Sequence, residues 1–368
     1  MNSLLKIRII THHAVHNHGA VLQLYALEKI LSKYDPDVCA LDYQKNYDFL
    51  DEDANTKYNI SIKSIPYYIG FLRKNGLAKT LFNVKKRGIL ESFKRDHAMV
   101  GEYYSRCKDL DAAFIGSDEV FSIETGLNPF FWGMGVPTDN CFAYAGCFGP
   151  TTLDFIREKH AVEYISAGIK RLSRISVRDK NSQCIISELS DSVPVQVCDP
   201  VILYGFSGEK EKFKRPMQDR YLFIYAYDNN MNDPEEVNSI LKYAREHAFK
   251  VVTAGFFHKW CDKSVNVNPL ELLQWIAFAE CVVTDTFHGT VMSLVMNTPF
   301  ATKIRGNKNK LGFLLDEYGC SDREIDDFDK LDDIFKNEIH FEEINKIISK
   351  KQKQGKEYIQ SCIEQIQL

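Results

Sequence analysis

Short continuous apolar runs alternate along the chain with longer stretches whose apolar residues recur every three to four positions. The runs fall at residues 6–11, 38–42, 112–116, 142–145, 175–178 and 195–198, then at 221–227, 250–253, 281–284 and 299–302. Most are apolar at consecutive positions, the pattern of parallel strands buried on both faces. Between them, residues 20–32 place Val21, Leu24, Leu27, Ile30 and Leu31 on one helical stripe. Residues 152–172, 234–247, 270–279 and 290–297 also read as helices. Alternating β and α elements predict parallel sheets with right-handed crossovers, hence an α/β fold of doubly wound, Rossmann-like units.

At 368 residues the chain exceeds the size of one usual core, so two domains are expected. The break falls at Asp199-Pro200, followed by a polar stretch to Arg220. Residues 1–198 read as an N-terminal α/β domain, 199–340 as a C-terminal one, and 341–368 as a helix packing back on the first. Residues 47–104 lack the alternation and read as a helical insertion. Its Lys79, Lys85, Lys86, Arg87, Lys94 and Arg95 fit either a solvated helix face or a basic apron toward a lipid-linked acceptor at a membrane surface.

Composition narrows the class. A formal net charge of −4 gives no reason to expect nucleic acid or a polyanion as partner. Residues 1–11 carry Lys6 and Arg8 inside their apolar stretch and no cleavage site, so they read as a first strand and not as a signal peptide. No run reaches the roughly 20 apolar residues of a membrane span. The 10 cysteines stand singly, without CxxC or Cys/His spacing, which argues against a zinc site or a disulfide framework. A cytoplasmic protein is expected, with at most peripheral contact with the inner membrane surface.

Five segments could carry chemistry. The loop from Thr11 to Ala20 ends a strand and opens a helix, where open α/β sheets bind ligands. Its Gly19 and the helix amides suit an anion or a polar acceptor. Its four histidines lack a local carboxylate, so a metal is not expected. Gly116-Ser117-Asp118 presents a carboxylate at a strand end, either a general base for a sugar hydroxyl or a helix cap. Arg178, delivered by an apolar strand, is an anion clamp or a surface ion-pair partner. Asp285-Thr286-Phe287-His288-Gly289-Thr290 turns a buried strand into a helix expected from Thr290, with His288 beside the helix amides. Finally, 302–310 is a basic loop containing Lys303, Arg305 and Lys310, able to neutralise phosphate or carboxylate if it is not simply solvated.

In this order the segments resemble the polysaccharide pyruvyl transferase family. The resemblance rests on Asn17-His18-Gly19-Ala20-Val21-Leu22-Gln23-Leu24-Tyr25-Ala26-Leu27, Gly116-Ser117-Asp118, Ser176-Val177-Arg178-Asp179, Asp199-Pro200, Thr284-Asp285-Thr286-Phe287-His288-Gly289-Thr290 and Asn297-Thr298-Pro299-Phe300. Glu119 stands where many relatives carry Gln, Phe121 where many carry Trp, and the Asn17 loop is unusually His-rich. The resemblance implies a fold like glycosyltransferase B, with the active site in the interdomain cleft. It implies transfer of pyruvyl from phosphoenolpyruvate to a sugar as a ketal, with release of phosphate and no cofactor or metal. Arg178 and His288 match the family positions that hold the donor. Catalysis is then expected of His288, Arg178 and Asp118. Donor binding falls to Arg178, His288, Gly289, Thr290, Lys303 and Arg305, and acceptor binding to Asn17, His18, Gly19, Gln23, Ser117 and Asp118. The acceptor is expected to be a saccharide or a lipid-linked oligosaccharide. A nucleotide-sugar glycosyltransferase and a non-catalytic carbohydrate-binding protein of the same fold are the competing expectations.

Overall fold

The computed structural model describes residues 5–43, 65–124, 126–306 and 308–366. Part of the expected insertion, residues 47–64, lies outside these. The first sheet has seven strands, β1 (Ile7–Ile10), β2 (Cys39–Asp42), β3 (Val100–Tyr103), β4 (Ala112–Ile115), β5 (Cys141–Gly146), β6 (Arg174–Val177) and β7 (Val195–Gln196). Their order is β3-β2-β1-β4-β5-β6-β7. The helices here are α1 (His18–Leu31), α2 (Ile65–Asp96), α3 (Leu153–Glu158), α4 (Val162–Arg171) and α5 (Lys180–Leu189). Two short helices follow, α6 (Pro200–Tyr204) and α7 (Ser207–Lys210).

The second sheet has five strands in the order β10-β9-β8-β11-β12. They are β8 (Tyr221–Tyr225), β9 (Lys250–Ala254), β10 (Lys263–Val265), β11 (Cys281–Thr284) and β12 (Phe300–Thr302). With them run α8 (Pro234–Glu246), α9 (Pro269–Ala277) and α10 (Phe287–Met296), then α11 (Phe313–Glu317), α12 (Leu331–Lys336) and the long α13 (Phe341–Ile366). Every strand pairing in both sheets is parallel. The two sheets have the same doubly wound logic, so each reverses direction once, between β1 and β4 and between β8 and β11. Ligands bind open α/β sheets at such switch points, outside the carboxyl ends of the strands.

One apolar core runs between the two sheets. It holds Leu22 and Leu27 of α1, Val201 of α6, Leu272 and Ile276 of α9, Met292 of α10 and Ile359 of α13. The helix α13 ties down on the first sheet. Tyr358 Oη donates to Ala143 O at 2.8 Å, and Arg174 donates to Gln365 and Ser361 at 2.9 Å each.

Three features depart from the sequence reading. Strands β3 and β10 are not in the apolar pattern, because each lies at a sheet edge and buries little; β3 also places the end of the expected 47–104 insertion in the sheet. The helix expected over 152–172 is two helices, broken where His160 takes φ 53°. In α2, Lys85, Arg87 and Arg95 are exposed as a solvated face would have them, but Lys79, Lys86 and Lys94 are occupied within the fold. Lys79 pairs with Asp228 at 3.8 Å, Lys86 lies 5.1 Å from the Phe256 ring centroid, and buried Lys94 donates to His13 O at 2.9 Å.

Candidate active site

The site begins with backbone geometry. Gly116, just past β4, has φ 119°, and a Cβ there would stand 2.2 Å from Tyr144 O. Only glycine fits, and the turn it makes carries Ser117 and Asp118 onto the sheet edge. In the second unit, Thr284 at the end of β11 donates from Oγ1 to Tyr225 O, and Thr286 caps α10 by accepting from Gly289 N at 2.9 Å. The helix therefore begins at Phe287, three residues before the expected Thr290, and His288 lies within its first turn. The N-terminal turn of α1 packs directly on that ring. A Cβ on Gly19 would stand 2.3 Å from His288 Cγ, so Gly19 is a close-approach glycine.

Arg178 follows β6 and is the centre of charge, its side chain 1% exposed. It donates to Asp199 at 2.9 Å and to Asp118 at 3.3 Å, and its guanidinium lies 4.5 Å from the Phe287 ring centroid. An unpaired buried charge would cost several kcal/mol, so two carboxylates and an aromatic face answer this one. Arg178 Nε is buried without a hydrogen-bond partner among the described residues. A polar chain runs from the guanidinium to the histidine. Asp199 accepts from Gln23 Nε2 at 2.9 Å, Gln23 Nε2 also donates to His288 Nε2, and Ser117 Oγ donates to Gln23 Oε1. With the ring accepting at Nε2, the neutral imidazole carries its proton on Nδ1.

The environment sets the protonation states. Burial pushes His288 down to about 3, helped by the positive charges of Arg178 and Lys310 and opposed by Asp118. His288 is therefore neutral near pH 7. Burial would raise Asp118, but Arg178 leads a group of positive neighbours that hold it well below the ordinary carboxylate range. Asp118 is ionised and a weak base. Asp199, more deeply enclosed, is raised by burial despite Arg178.

Of the residues singled out in the sequence, the structure brings Gln23, Ser117, Asp118, Arg178 and His288 into one cluster, with Gly19 against it. Others do not join it. Asn17 caps α1 by accepting from Gly19 N at 2.8 Å, which occupies an amide expected to be free. His18 Nε2 donates to Val267 O at 2.8 Å, and burial lowers the ring to about 4. Gly289 N is taken by Thr286, and the Thr290 hydroxyl is fully buried beside Thr302 at 2.9 Å. Lys303 turns away to Ile325 O at 2.9 Å and Asp326 O at 3.0 Å. Arg305 is held by Asp285 at 3.0 Å and by both oxygens of Glu236 at 3.1 and 2.7 Å. These two cations therefore brace the second sheet, a role that spacing along the chain could not reveal.

Two residues outside the expected catalytic, donor and acceptor sets take part as well. Asp199 is visible in the sequence only at the domain boundary and in the Asp199-Pro200 match to the family. Lys310, at the far end of the basic loop, pairs with Glu119 at 2.9 Å and lies 4.8 Å from the Phe287 centroid. The histidines after β1 disperse to four different partners, Glu119 O, Asp42, Glu91 and Val267 O. Among the described residues no group of three or more His, Cys, Asp or Glu is placed to hold a metal ion.

Fold and site together define a two-domain, all-parallel α/β protein of the glycosyltransferase B type, with a cation–carboxylate cluster where the two switch points face each other. The sequence matches the polysaccharide pyruvyl transferase family over residues 17–302, most of the chain, and the chain belongs to that family. It is thus a transferase of polysaccharide biosynthesis, and the family implies a saccharide acceptor. No curated protein matches it in sequence. Among solved structures, UDP-N-acetylglucosamine 2-epimerase from Rickettsia bellii is similar at 11% identity and TM-score 0.52, covering 99% of this chain and 97% of that one. A candidate UDP-N-acetylglucosamine 2-epimerase from Listeria monocytogenes is similar at 11% identity and TM-score 0.52, covering 98% of this chain and 96% of that one. At such identity the likeness shows the fold alone. No helix among the described residues is long and apolar enough to cross a membrane.

Proposed function

We propose that this protein transfers a pyruvyl group from phosphoenolpyruvate to two hydroxyls of one sugar in a cell-surface polysaccharide or its lipid-linked precursor. The product is a cyclic ketal, and phosphate is released. The observation that carries the reading is buried Arg178, linked through Asp199 and Gln23 to His288 at the N-terminus of α10. A donor bearing both phosphate and carboxylate suits a guanidinium, and no cofactor is needed.

The chemistry balances in two steps. One sugar hydroxyl adds to C2 of the enol, forming a C–O bond, while C3 gains a proton and becomes a methyl group. The second hydroxyl then bonds to C2 as the C2–O(phosphate) bond breaks. Of the two hydroxyl protons, one is balanced by the proton on C3 and the other leaves with phosphate. Ionised Asp118 accepts a hydrogen bond from the attacking hydroxyl and orients it, while its low proton affinity makes it a poor base. Neutral His288 becomes the acid only when an anion beside it raises its proton affinity. Donor binding therefore loads His288 with a proton from solvent. The cytoplasm supplies phosphoenolpyruvate, and a lipid-linked acceptor would bring the protein to the inner membrane surface.

Mass spectrometry of candidate glycans after incubation with phosphoenolpyruvate should reveal a pyruvyl adduct. Calorimetry in buffers of different ionisation enthalpy should show proton uptake on phosphoenolpyruvate binding that His288→Ala abolishes. Binding of nucleotide sugars with no response to phosphoenolpyruvate would refute the reading in favour of glycosyl transfer.

A further inference from the structure

Helix α2 is apolar on two opposite faces. The inner face packs on both units at once. The rings of buried Phe93 and of Tyr25 on α1 have centroids 5.7 Å apart, and those of buried Phe82 and of Phe257, just past β9, 5.6 Å apart. Lys79 pairs with Asp228, just past β8, at 3.8 Å. The helix therefore lies across the carboxyl ends of the second sheet, the edge where open α/β sheets take ligands. The outer face has no such partner in the fold. Leu77, Leu81 and Val84 are 72%, 67% and 66% exposed. Spaced i, i+4 and i+7, they form one row about 10 Å long. A single exposed leucine is ordinary, whereas an aligned apolar row marks a surface that meets something apolar.

The charges beside the row say what that something is. At 3.6 residues per turn, exposed Lys85 and Arg87 stand on opposite sides of it. From Ile65 to Leu90 every charged residue is Lys or Arg. The next carboxylates along the helix are already answered, Glu91 by Lys94 and His16 at 2.8 and 2.9 Å and Asp96 by Arg95 at 3.6 Å. A solvated face accounts for the cations but not for the leucines between them. A second copy of the chain would set basic border against basic border, whereas an anionic bilayer answers both borders and takes the apolar row between its headgroups. We infer that the outer face of α2, Leu77, Leu81 and Val84 with Lys85 and Arg87, seats this protein on an anionic lipid surface. Arg87 also lines a cavity with His13 and His16, so the seat brings the loop after β1 close to the headgroups. The inference deepens the lipid-linked acceptor reading above, yet vesicle binding needs neither donor nor acceptor, so the two can fail separately.

Co-sedimentation of the full chain with phosphatidylglycerol vesicles, and with phosphatidylcholine vesicles as control, tests this. The wild-type chain should pellet with phosphatidylglycerol, less so as salt is raised, and stay in solution with phosphatidylcholine. Lys85→Gln with Arg87→Gln should weaken binding about thirtyfold, each basic residue at an anionic surface contributing about fivefold. Leu77→Gln with Leu81→Gln and Val84→Gln should reduce it to the phosphatidylcholine level, because few charges without an apolar anchor do not hold. All five side chains are exposed, so the variants should keep the wild-type urea midpoint. A wild-type chain that ignores phosphatidylglycerol, or variants that bind it as the wild type does, overturns the inference. A dimer in sedimentation velocity that the three Gln substitutions dissociate gives the face to a second copy and overturns it as well. Vesicle binding without any pyruvyl adduct on glycans sinks the functional reading and leaves this one, while an adduct without vesicle binding does the reverse.

Discussion

Gly19→Ala is a single methyl group placed where two units of the protein meet. The added Cβ would stand 2.3 Å from His288 Cγ, 2.4 Å from Nδ1 and 2.7 Å from Cβ. Ordinary carbon contacts begin near about 3.5 Å, so the ring or α1 must retreat by about 1 Å. The ring is only 7% exposed and is held by Gln23, so it has little room to move without breaking that bond. A misplacement of about 1 Å in a catalytic group costs on the order of 10²-fold in rate. Overpacking costs about 1–3 kcal/mol, while alanine in a helix recovers up to about 1 kcal/mol over glycine. The expected result is a phosphate-release rate reduced about 10²-fold with a stability loss of about 0–3 kcal/mol, measured by urea unfolding. In a His288→Gly background all three close contacts vanish, so Gly19→Ala should there be neutral or stabilising. That reversal of sign identifies the ring as the obstacle. Gly19→Ala with wild-type turnover, or with the same stability cost in both backgrounds, would refute the packing argument.

Arg178→Met should destabilise the protein by about 3–5 kcal/mol in urea unfolding, because it leaves Asp199 buried without its cation, and adding Asp199→Asn should recover part of the loss. Acid should unfold the chain partly through its buried histidines. His13 and His18 are each held near about 4, against about 6.5 when unfolded. Each is therefore worth its full contribution above pH 6.5 and loses about 3 kcal/mol as pH falls toward 4. His18→Gln should flatten the dependence of the urea midpoint on pH in that window. Tyr358→Phe should cost only about 1 kcal/mol, since Ala143 O keeps a second donor, Ser176 Oγ at 2.9 Å. A loss of several kcal/mol would show that α13 depends on that hydroxyl more than its packing suggests.

Much of the architecture is legible in the sequence because buried parallel strands must be apolar on both faces. Ten of the twelve strands among the described residues announce themselves in this way. The two exceptions, β3 and β10, are edge strands that bury little, so their residues carry no such constraint. Helix ends are less legible. The start of α10 at Phe287 depends on Thr286 capping Gly289, a hydrogen bond that an apolar pattern cannot display.

For the site, the sequence by itself determined which residues end buried strands, and so brought Arg178, Asp118 and His288 forward. It could not determine the direction in which loop cations point. Lys303, Arg305 and Lys310 lie within eight residues of one another in one basic loop. The first caps carbonyls beside β12, the second braces Asp285 and Glu236, and the third reaches the cluster. The same holds for Gln23, whose amide joins Asp199 to His288 only because α1 and α10 meet end to end at Gly19. Burial on a strand is a local property written every residue, whereas a charge finds its partner across a cleft. The partner is fixed by which surfaces pack together, and that was decided only in the tertiary structure.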